Sequence, residues 1–319
     1  MRIAVTGATG FVGGAIVRRL AAHGHEVLAL GRSAAGPAAV EYARWDLGVD
    51  EPPPAGLAGC EAVVHAAAHV AAWGDEPLFH AVTVMGTAHL LDAMDAAARL
   101  VVIGSSSVYA PDGRRGPYRE SDAPADSRRY LGPYARAKAD QERLVAARRP
   151  DAVVLRPRAV WGPGDRTLLP RLETRVRAGR LVLPDGGRHP MSTTHVESLV
   201  DAVESALAHA DVRGPVNVAD ATPRSPAELL GALFAARGEP LRIIGVPGRL
   251  ADVAAFAFES TYRLARIRRE PPVTRYAVSA LTGSVVLDLA RLHRELGIVP
   301  DVDLAMRAGE LAQAQTASC

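Results

Sequence analysis

The chain has 319 residues, of which 48% are hydrophobic and 23% are charged, with 37 Lys and Arg against 35 Asp and Glu. This composition excludes disordered and fibrous architectures, and it lacks the basic footprint of a nucleic-acid-binding protein. Two cysteines, Cys60 and Cys319, are too few for a disulfide framework. The sequence contains neither an apolar run long enough to span a membrane nor a targeting segment, so we expect a cytoplasmic protein.

The first half of the chain alternates short apolar runs with Ala/Leu-rich segments, which is typical of parallel strands joined by crossover helices. Strands are predicted at residues 2–6, 26–30, 40–44, 62–65, 100–104 and 152–156. Helices are predicted near residues 11–23, 79–97 and 134–148. This rhythm predicts an α/β fold with a Rossmann-type, doubly wound parallel sheet.

The second half begins with a passage rich in Pro and Gly, from Pro157 to Pro190, which indicates a change of domain. Residues 196–209 again have a helical pattern, and 215–219 form a strand that could rejoin the sheet. We therefore predict a Rossmann-type domain of residues 1–160 plus about 195–220. Residues 161–194 and 221–319 are predicted to form most of a smaller, substrate-binding lobe.

The turn after the first strand carries a phosphate-binding pattern, with glycines at positions 7, 10 and 13 leading into the first helix. Such glycines allow a tight turn and a close backbone approach by a pyrophosphate, which the free N–H groups and dipole of the helix start attract. The alternative is a turn whose glycines only cap the helix. The predicted cofactor contacts are Gly7, Thr9, Gly10, Phe11, Val12 and Gly13.

The end of the second strand distinguishes NAD from NADP, because a carboxylate there binds the ribose hydroxyls and repels a 2′-phosphate. Gly31 and Arg32 occupy this place, and a guanidinium can hold the extra phosphate. The alternative is a solvated loop arginine. We therefore predict NADP(H) in preference to NAD(H), with cofactor contacts by Arg32, Ser33, Asp46 and Leu47.

A hydride-transfer chemistry is indicated by Tyr134 and Lys138, which lie four residues apart and therefore on one face of a helix. We expect the neighbouring ammonium and the nicotinamide charge to lower the pKa of the phenol from its ordinary value near 10. A run of serines, residues 105–107, ends the predicted fifth strand, where ligands of such sheets bind. A Ser hydroxyl there can hold a carbonyl or alcohol oxygen while Tyr134 transfers a proton.

These motifs, in this chain order, resemble the extended short-chain dehydrogenase/reductase family, also called the NAD-dependent epimerase/dehydratase family. The resemblance implies Ser105, Tyr134 and Lys138 as catalytic residues, with Ser106 as the alternative serine. The segments His65-Ala66-Ala67-Ala68 and Leu155-Arg156-Pro157 are also similar to family motifs, which implies cofactor contacts by Ala66, Ala67, Ala68, Pro157, Tyr134 and Lys138. Thr83 stands where the family usually has an Asn that organises a proton relay.

The resemblance also narrows the reaction. The Ser-rich segment lacks the acidic pair of dehydratases, and Ala159 and Met191 stand where sugar-nucleotide enzymes commonly have Asn and Arg contacts to the diphosphate. Residues 71–74, 161–165, 269–275 and 295–297 instead resemble the branch of 3β-hydroxysteroid dehydrogenases and bacterial 2-alkyl-3-oxoalkanoate reductases. We therefore predict an NADP(H)-dependent ketoreductase or alcohol dehydrogenase for an apolar or partly apolar ketone. A sugar-nucleotide 4-epimerase and a catalytically silent cofactor sensor or scaffold remain open alternatives.

Four residues are predicted to contact the small-molecule substrate: Ser106, Trp73, Arg158 and Trp161. Residues 250–269 are interpreted as an amphipathic helix, either packed on the core, closing over the substrate as a lid, or lying on a membrane surface, with Arg268 among its solvated arginines. His65 and His69 have the spacing of metal ligands, but no carboxylate completes a set, so no metal site is predicted. His195 is given a structural role. Homodimers are frequent in the family, so a homodimer is an open expectation.

Overall fold

The computed structural model describes residues 1–49, 57–109, 117–126, 130, 132–166, 168–267 and 269–316, with the side chains of 314–316 excepted. Cys319 and Arg268, both mentioned above, lie outside the described residues. None of the helices in the described part of the chain combines the length and the apolar character needed to cross a bilayer.

A parallel seven-stranded sheet forms the centre of the molecule, as predicted. Its strands are β1 (Arg2–Thr6), β2 (Glu26–Gly31), β3 (Glu41–Arg44), β4 (Ala62–His65), β5 (Arg99–Ile103), β6 (Val153–Pro157) and β10 (Gly214–Val218). Their order across the sheet is β10-β6-β5-β4-β1-β2-β3, with the reversal of strand order next to β1. The strand predicted at 215–219 does rejoin the sheet, at the edge beside β6. Because the outer side of an edge strand has no partner strand, Pro215 can lie there without loss of a hydrogen bond in the sheet.

Helices cover both faces of this sheet and bury it in two apolar layers. One layer contains α1 (Phe11–Ala22), α6 (Val196–Ala208) and α10 (Ala290–Leu296), and its core includes Ile16, Leu199 and Leu292. The other contains α3 (Gly86–Ala93) and α4 (Pro133–Arg148), with Leu90 and Val145 in its core. The strands are buried on both faces, which explains why they read as continuous apolar runs rather than alternating ones.

A smaller set of elements packs around a separate apolar cluster beyond the carboxyl ends of the strands. It comprises β7 (Val160–Trp161), α5 (Leu169–Glu173), β8 (Arg180–Pro184), β9 (Thr194–His195), α7 (Pro226–Ala236), β11 (Arg242–Val246), α8 (Gly248–Leu264), α9 (Arg275–Thr282) and α11 (Leu304–Thr316). Strand β8 pairs with β11, and β7 pairs with β9. Leu181, Leu183, Leu230 and Leu233 form the centre of the cluster.

Two predicted helices differ from the observed ones. The helix predicted at 79–97 begins earlier, with α2 (Glu76–Phe79), continues through a π-helical segment (His80–Met85) and ends with α3 at Ala93. The helix predicted at 250–269 exists as α8, but only Ala255 and Glu259 of that helix are buried. Val253, Phe256 and Leu264 are 65%, 59% and 90% exposed, so the interpretation that these apolar side chains pack on the core is wrong within a single chain.

Candidate active site

The turn between β1 and α1 is shaped for close approach by an anion. Gly7 has a φ of +68°, and a Cβ at that position would lie 2.9 Å from the backbone nitrogen of Ala67. A Cβ at Gly13 would lie 2.2 Å from the carbonyl oxygen of Gly7, so the helix packs directly on the turn. No side chain caps the N-terminus of α1, which leaves its first N–H groups available. These features fit the pyrophosphate of a dinucleotide.

One cavity of about 690 Å³ extends from this turn across the carboxyl ends of the strands. Its lining includes all of the predicted cofactor and catalytic residues: Gly7, Thr9, Gly10, Phe11, Val12, Gly13, Arg32, Ser33, Asp46, Leu47, Ala66, Ala67, Ala68, Ser105, Tyr134, Lys138 and Pro157. The cavity also contains lining residues that the sequence analysis did not identify, among them Val82, Val160, Leu168 and Tyr276. Residues more than a hundred positions apart therefore share one space whose volume is in the range of small-molecule and cofactor sites.

Tyr134 and Ser105 form the reactive end of this cavity. The Ser105 hydroxyl lies within hydrogen-bonding reach of the Tyr134 phenol. Burial raises the pKa of Tyr134 well above its ordinary value, the nearby Tyr276 raises it further, and only the hydrogen bond to Ser105 acts in the opposite direction. The expected lowering of this pKa by Lys138 is therefore not what the protein alone produces. The phenol keeps its proton at neutral pH.

Lys138 reaches the same cavity from one turn further along α4, but its ammonium is directed to other partners. Nζ donates hydrogen bonds of 2.8 Å to the carbonyl oxygen of Ile103 and 2.9 Å to Oε1 of Gln141. Burial lowers the pKa of Lys138 to about 8, and the nearby Glu142 partly opposes this. Because its hydrogen bonds go to these acceptors, Lys138 is held at the cavity wall rather than against Tyr134.

Gln141 connects Lys138 to a buried polar network below the cavity. Its Nε2 donates a 2.8 Å hydrogen bond to Oγ1 of Thr87, whose own hydroxyl donates to the carbonyl oxygen of Thr83 at 2.6 Å. The hydroxyl of Thr83 accepts a hydrogen bond from the backbone N–H of His69 at 3.2 Å. Thr83, which replaces the usual Asn, thus braces the π-helical segment and the loop after β4.

The same network determines the protonation state of His65. The Thr87 hydroxyl already donates to Thr83, so it must accept from Nε2 of His65, 2.9 Å away. Nδ1 is then the acceptor for the hydroxyl of Thr6 at 2.7 Å. Burial, assisted by the charge of Lys138, lowers the pKa of this imidazole to about 3. His65 is therefore a neutral structural group, and no cluster of His, Cys, Asp or Glu suited to a metal occurs in the described part of the chain.

The residues predicted to bind the 2′-phosphate of NADP lie at the end of the cavity formed by the loop after β2. Arg32 is exposed, and within the described residues it forms no salt bridge. Nε of Arg44 donates a 3.3 Å hydrogen bond to the carbonyl oxygen of Arg32, which brings a second guanidinium to the same place. The hydroxyl of Ser33 donates to that of Thr9 at 3.2 Å, so this loop is tied to the glycine turn.

The residues predicted to contact substrate do not line this cavity. Trp161 is buried at the base of the smaller lobe, where its Nε1 donates to Asp220 at 3.2 Å and its ring meets that of His195 edge-on, so its role is structural. Trp73 instead lies under the guanidinium of Arg263, 5.2 Å from the ring centre. Ser106 is buried within a short 3₁₀ turn. Arg158 is not among the lining residues, and its guanidinium donates to the carbonyl oxygen of Ala280 on α9 at 3.2 Å.

Two functional candidates were missed in the sequence. Gln141 follows Lys138 by three residues on α4, a spacing that places both side chains on one face. Tyr276 lies in the first turn of α9, and its ring packs edge-on against Tyr134 with centroids 6.5 Å apart. The spacing could have indicated Gln141, whereas only the fold brings Tyr276 to the site, 142 positions away in the chain.

Comparison with known proteins agrees with this architecture. The family model described as "NAD dependent epimerase/dehydratase family" matches residues 3–219. A 2-alkyl-3-oxoalkanoate reductase of Stenotrophomonas maltophilia is 33% identical over 95% of this chain and 96% of its own. A 4-hydroxy-2-methyl-3-oxo-4-farnesyl-3,4-dihydroquinoline-1-oxide ketoreductase of Stigmatella aurantiaca is also 33% identical, over 93% of this chain and 91% of its own.

Solved structures share the fold at lower sequence identity. A UDP-glucuronic acid 4-epimerase from Bacillus cereus in complex with NAD superposes with a TM-score of 0.75 at 18% identity, covering 99% of both chains. Such a likeness reports the architecture alone, because one fold hosts many activities. The family match, the full-length relatives and the glycine turn, Ser-rich segment and Tyr/Lys pair in one cavity together show that this chain belongs to the NAD-dependent epimerase/dehydratase family.

Proposed function

We propose that this protein is an NADP(H)-dependent ketoreductase that interconverts an apolar or partly apolar ketone and its secondary alcohol. The observation that carries the proposal is the convergence of Ser105, Tyr134 and Lys138 on one cavity that also contains the glycine turn. The full-length relatives with 33% identity are named as ketone reductases, which supports this chemistry over epimerisation.

The protonated phenol of Tyr134 is suited to the reductive direction. The glycine turn and the cavity that extends from it would hold a nicotinamide cofactor, which would supply the hydride for the carbonyl carbon. Tyr134 donates its proton to the carbonyl oxygen, on which negative charge develops, and a phenol that is protonated at neutral pH is ready to do so. Ser105 donates a hydrogen bond to the same oxygen and thereby stabilises that charge. Lys138, whose ammonium is held by Ile103 and Gln141, would bind the ribose of that cofactor.

The preference for NADP(H) is supported by charge at the end of β2. Arg32 lines this part of the cavity, and a 2′-phosphate placed there would accept charge-assisted hydrogen bonds from its guanidinium. Arg44, whose Nε donates to the carbonyl oxygen of Arg32, adds a second positive charge behind it. Gly31, at the end of β2, carries no carboxylate that would bind the ribose hydroxyls of NAD instead.

The walls near Tyr134 support a ketone with apolar substituents. The ring of Tyr276 packs against that of Tyr134, and Ala159, Val160 and Leu168 add apolar surface to the same cavity. A sugar ring and its diphosphate would demand hydrogen-bonding groups at the same positions, because buried polar groups need partners. This contrast favours the reductase over the sugar-nucleotide epimerase.

The test is to incubate the protein with NADPH and three substrate classes: 3-oxo acids and esters of increasing chain length, ketosteroids, and sugar nucleotides. The products are identified by mass spectrometry and the oxidation of NADPH is followed by absorbance. Formation of one alcohol for each NADPH consumed supports the proposal. Interconversion of a sugar nucleotide without net oxidation would establish the epimerase, and cofactor binding without any turnover would establish the sensor.

A further inference from the structure

We propose that α8 is a membrane-docking helix, which lays its solvent-facing apolar side on the surface of an anionic phospholipid bilayer. The binding is peripheral, since none of the helices in the described residues can cross a bilayer. The docking surface is separate from the candidate active site, because no residue of α8 lines the cavity.

The side of α8 that faces the solvent is its apolar side. An exposed stripe follows the spacing of a single helix face and consists of Leu250, Val253, Ala257 and Leu264. Phe256 and Phe258, both also exposed, border this stripe on its two sides. A helix on the surface of a soluble domain normally has the opposite arrangement, with polar side chains toward water. A contiguous exposed apolar surface of this kind marks a site of interaction.

The acidic residues of α8 lie on the inner side of the helix and attach it to α9. Glu259 is buried, and its Oε1 accepts a 2.8 Å hydrogen bond from the backbone N–H of Arg275, the first residue of α9. Oδ1 of Asp252 lies 3.1 Å from Nε of the same arginine. The orientation of α8 is therefore fixed by its polar side, and its apolar side is left without a partner within the part of the chain that the structure describes.

The charges around the apolar stripe favour an anionic lipid surface as the partner. Exposed cations occur at both ends of the stripe: Arg249, Arg263, Arg266 and Arg269. Arg263 lies 3.4 Å from Glu259, but its side chain remains 68% exposed. Anionic headgroups over an acyl layer complement both the cations and the apolar stripe. A second copy of this chain fits less well, because it would bring the arginines of two helices together, and both acidic residues of α8 are already bound on its inner side.

The position of α8 relates this surface to the cavity. The guanidinium of Arg263 lies 5.2 Å from the ring centre of Trp73, in the loop after β4, and residues 66–70 of that loop line the cavity. On the other side, α9 contributes Tyr276 to the cavity wall. Docking by α8 thus brings two walls of the cavity close to the lipid, in which an apolar ketone concentrates.

The experiment measures flotation of the whole protein with two kinds of vesicle, one of phosphatidylcholine and one with about 30% phosphatidylglycerol. We expect the natural protein to float with the anionic vesicles, with a partition coefficient about 10-fold or more above that for the neutral ones. The double variant Leu250→Asp, Val253→Asp should lower binding to the anionic vesicles at least about 10-fold. Both residues are exposed and lie in the first two turns of α8, where an aspartate suits the helix dipole, so the fold should be retained.

A second double variant tests the charge, and a third is the matched control. Arg249→Gln with Arg266→Gln leaves the apolar stripe intact and should lower binding to anionic vesicles about 10- to 30-fold, with little change for neutral ones. Val299→Asp with Met306→Asp introduces the same two charges at exposed apolar residues outside α8 and should leave flotation unchanged. Urea unfolding of each variant shows that the comparison is made between folded proteins.

The proposal is wrong if the natural protein does not float with anionic vesicles, or if the control variant loses as much binding as the α8 variant. Equal binding to neutral and anionic vesicles would reject the anionic surface as the partner. A dimer in sedimentation velocity that Leu250→Asp with Val253→Asp dissociates, without vesicle binding, would assign the stripe to a second copy instead. Flotation needs no substrate, so its outcome is independent of the proposed ketoreductase activity.

Discussion

Nζ of Lys138 and Oε1 of Gln141 lie 2.9 Å apart, three residues from each other on the same buried helix face. The amide of Gln141 turns its oxygen toward Lys138 because its nitrogen donates to the hydroxyl of Thr87, which is in turn linked to His65 and Thr83. Lys138 is therefore held by an amide rather than by a carboxylate. This arrangement leaves the pKa of Lys138 near 8, close to physiological pH.

The alkaline limb of the pH–rate profile should consequently depend on residue 141. Gln141→Met removes an acceptor from the ammonium, so the pKa of Lys138 falls and the decline of kcat/KM should begin at lower pH. Gln141→Glu supplies a carboxylate, so the pKa rises and the decline should begin at higher pH. Rate profiles of both variants between pH 6 and about 10 measure this. A common alkaline limb in both variants and the natural protein would show that Lys138 does not govern it.

Acid stability should depend on His65. In the unfolded chain a histidine has a pKa near 6.5, whereas the pKa of buried His65 is about 3. Between these values the unfolded chain binds a proton that the folded protein does not, so the free energy of unfolding falls as the pH is lowered through this window. His65→Gln should be less stable at pH 7 but should lose less stability on acidification. Urea unfolding at pH 7 and at about pH 4.5 checks this, with exposed His293→Gln as the control.

Cofactor preference should change in Arg32→Ala. Loss of charge-assisted hydrogen bonds to a 2′-phosphate is expected to weaken NADPH binding about 10- to 100-fold, while NADH, which has no such phosphate, should be nearly unaffected. Dissociation constants for both cofactors, measured by fluorescence titration, provide the ratio. Arg44→Ala should give a smaller effect in the same direction. An unchanged NADPH to NADH ratio in Arg32→Ala would reject Arg32 as the phosphate reader.

Removing one partner of the buried ion pair between Arg156 and Glu142 should lower the free energy of unfolding strongly. Both side chains are nearly inaccessible, with 6% and 10% exposure. Glu142→Gln leaves a buried guanidinium without its counter-charge and should cost about 3–5 kcal/mol. Asp92→Asn, which breaks an exposed pair with Arg148, should cost no more than about 1 kcal/mol. Similar losses in the two variants would contradict this reading of Arg156.

The strands of the sheet and the locally spaced motifs of the site could be predicted from the sequence. Parallel strands buried on both faces leave continuous apolar runs, so β1 and β5 were predicted to within a residue or two. The glycine turn and the Tyr134/Lys138 pair were predictable because their chemistry needs fixed local spacing. Every cofactor contact predicted in this way lines the cavity, although their contacts to the cofactor remain predictions.

The rest depends on contacts that no local pattern encodes. Tyr276 contacts Tyr134 only because the fold brings α9 to the cavity. Trp161 lies outside the cavity because its indole is buried against Asp220 and His195. The lowering of the Tyr134 pKa stays a prediction, because it included the charge of a bound nicotinamide, whereas burial in the protein alone raises this pKa. The sequence spacing places the ammonium of Lys138 near the phenol of Tyr134. In the fold the phenol is buried, and Lys138 donates its hydrogen bond to Gln141 instead.

The most direct test of the account is the rate of ketone-dependent NADPH oxidation by Tyr134→Phe. The variant keeps the ring that packs against Tyr276 and removes only the hydroxyl that donates the proton. We expect kcat to fall by about 10²- to 10⁴-fold, with the dissociation constant for NADPH changed by less than about threefold. Turnover close to that of the natural protein, with the cofactor still bound, would contradict the assignment of Tyr134 as the proton donor.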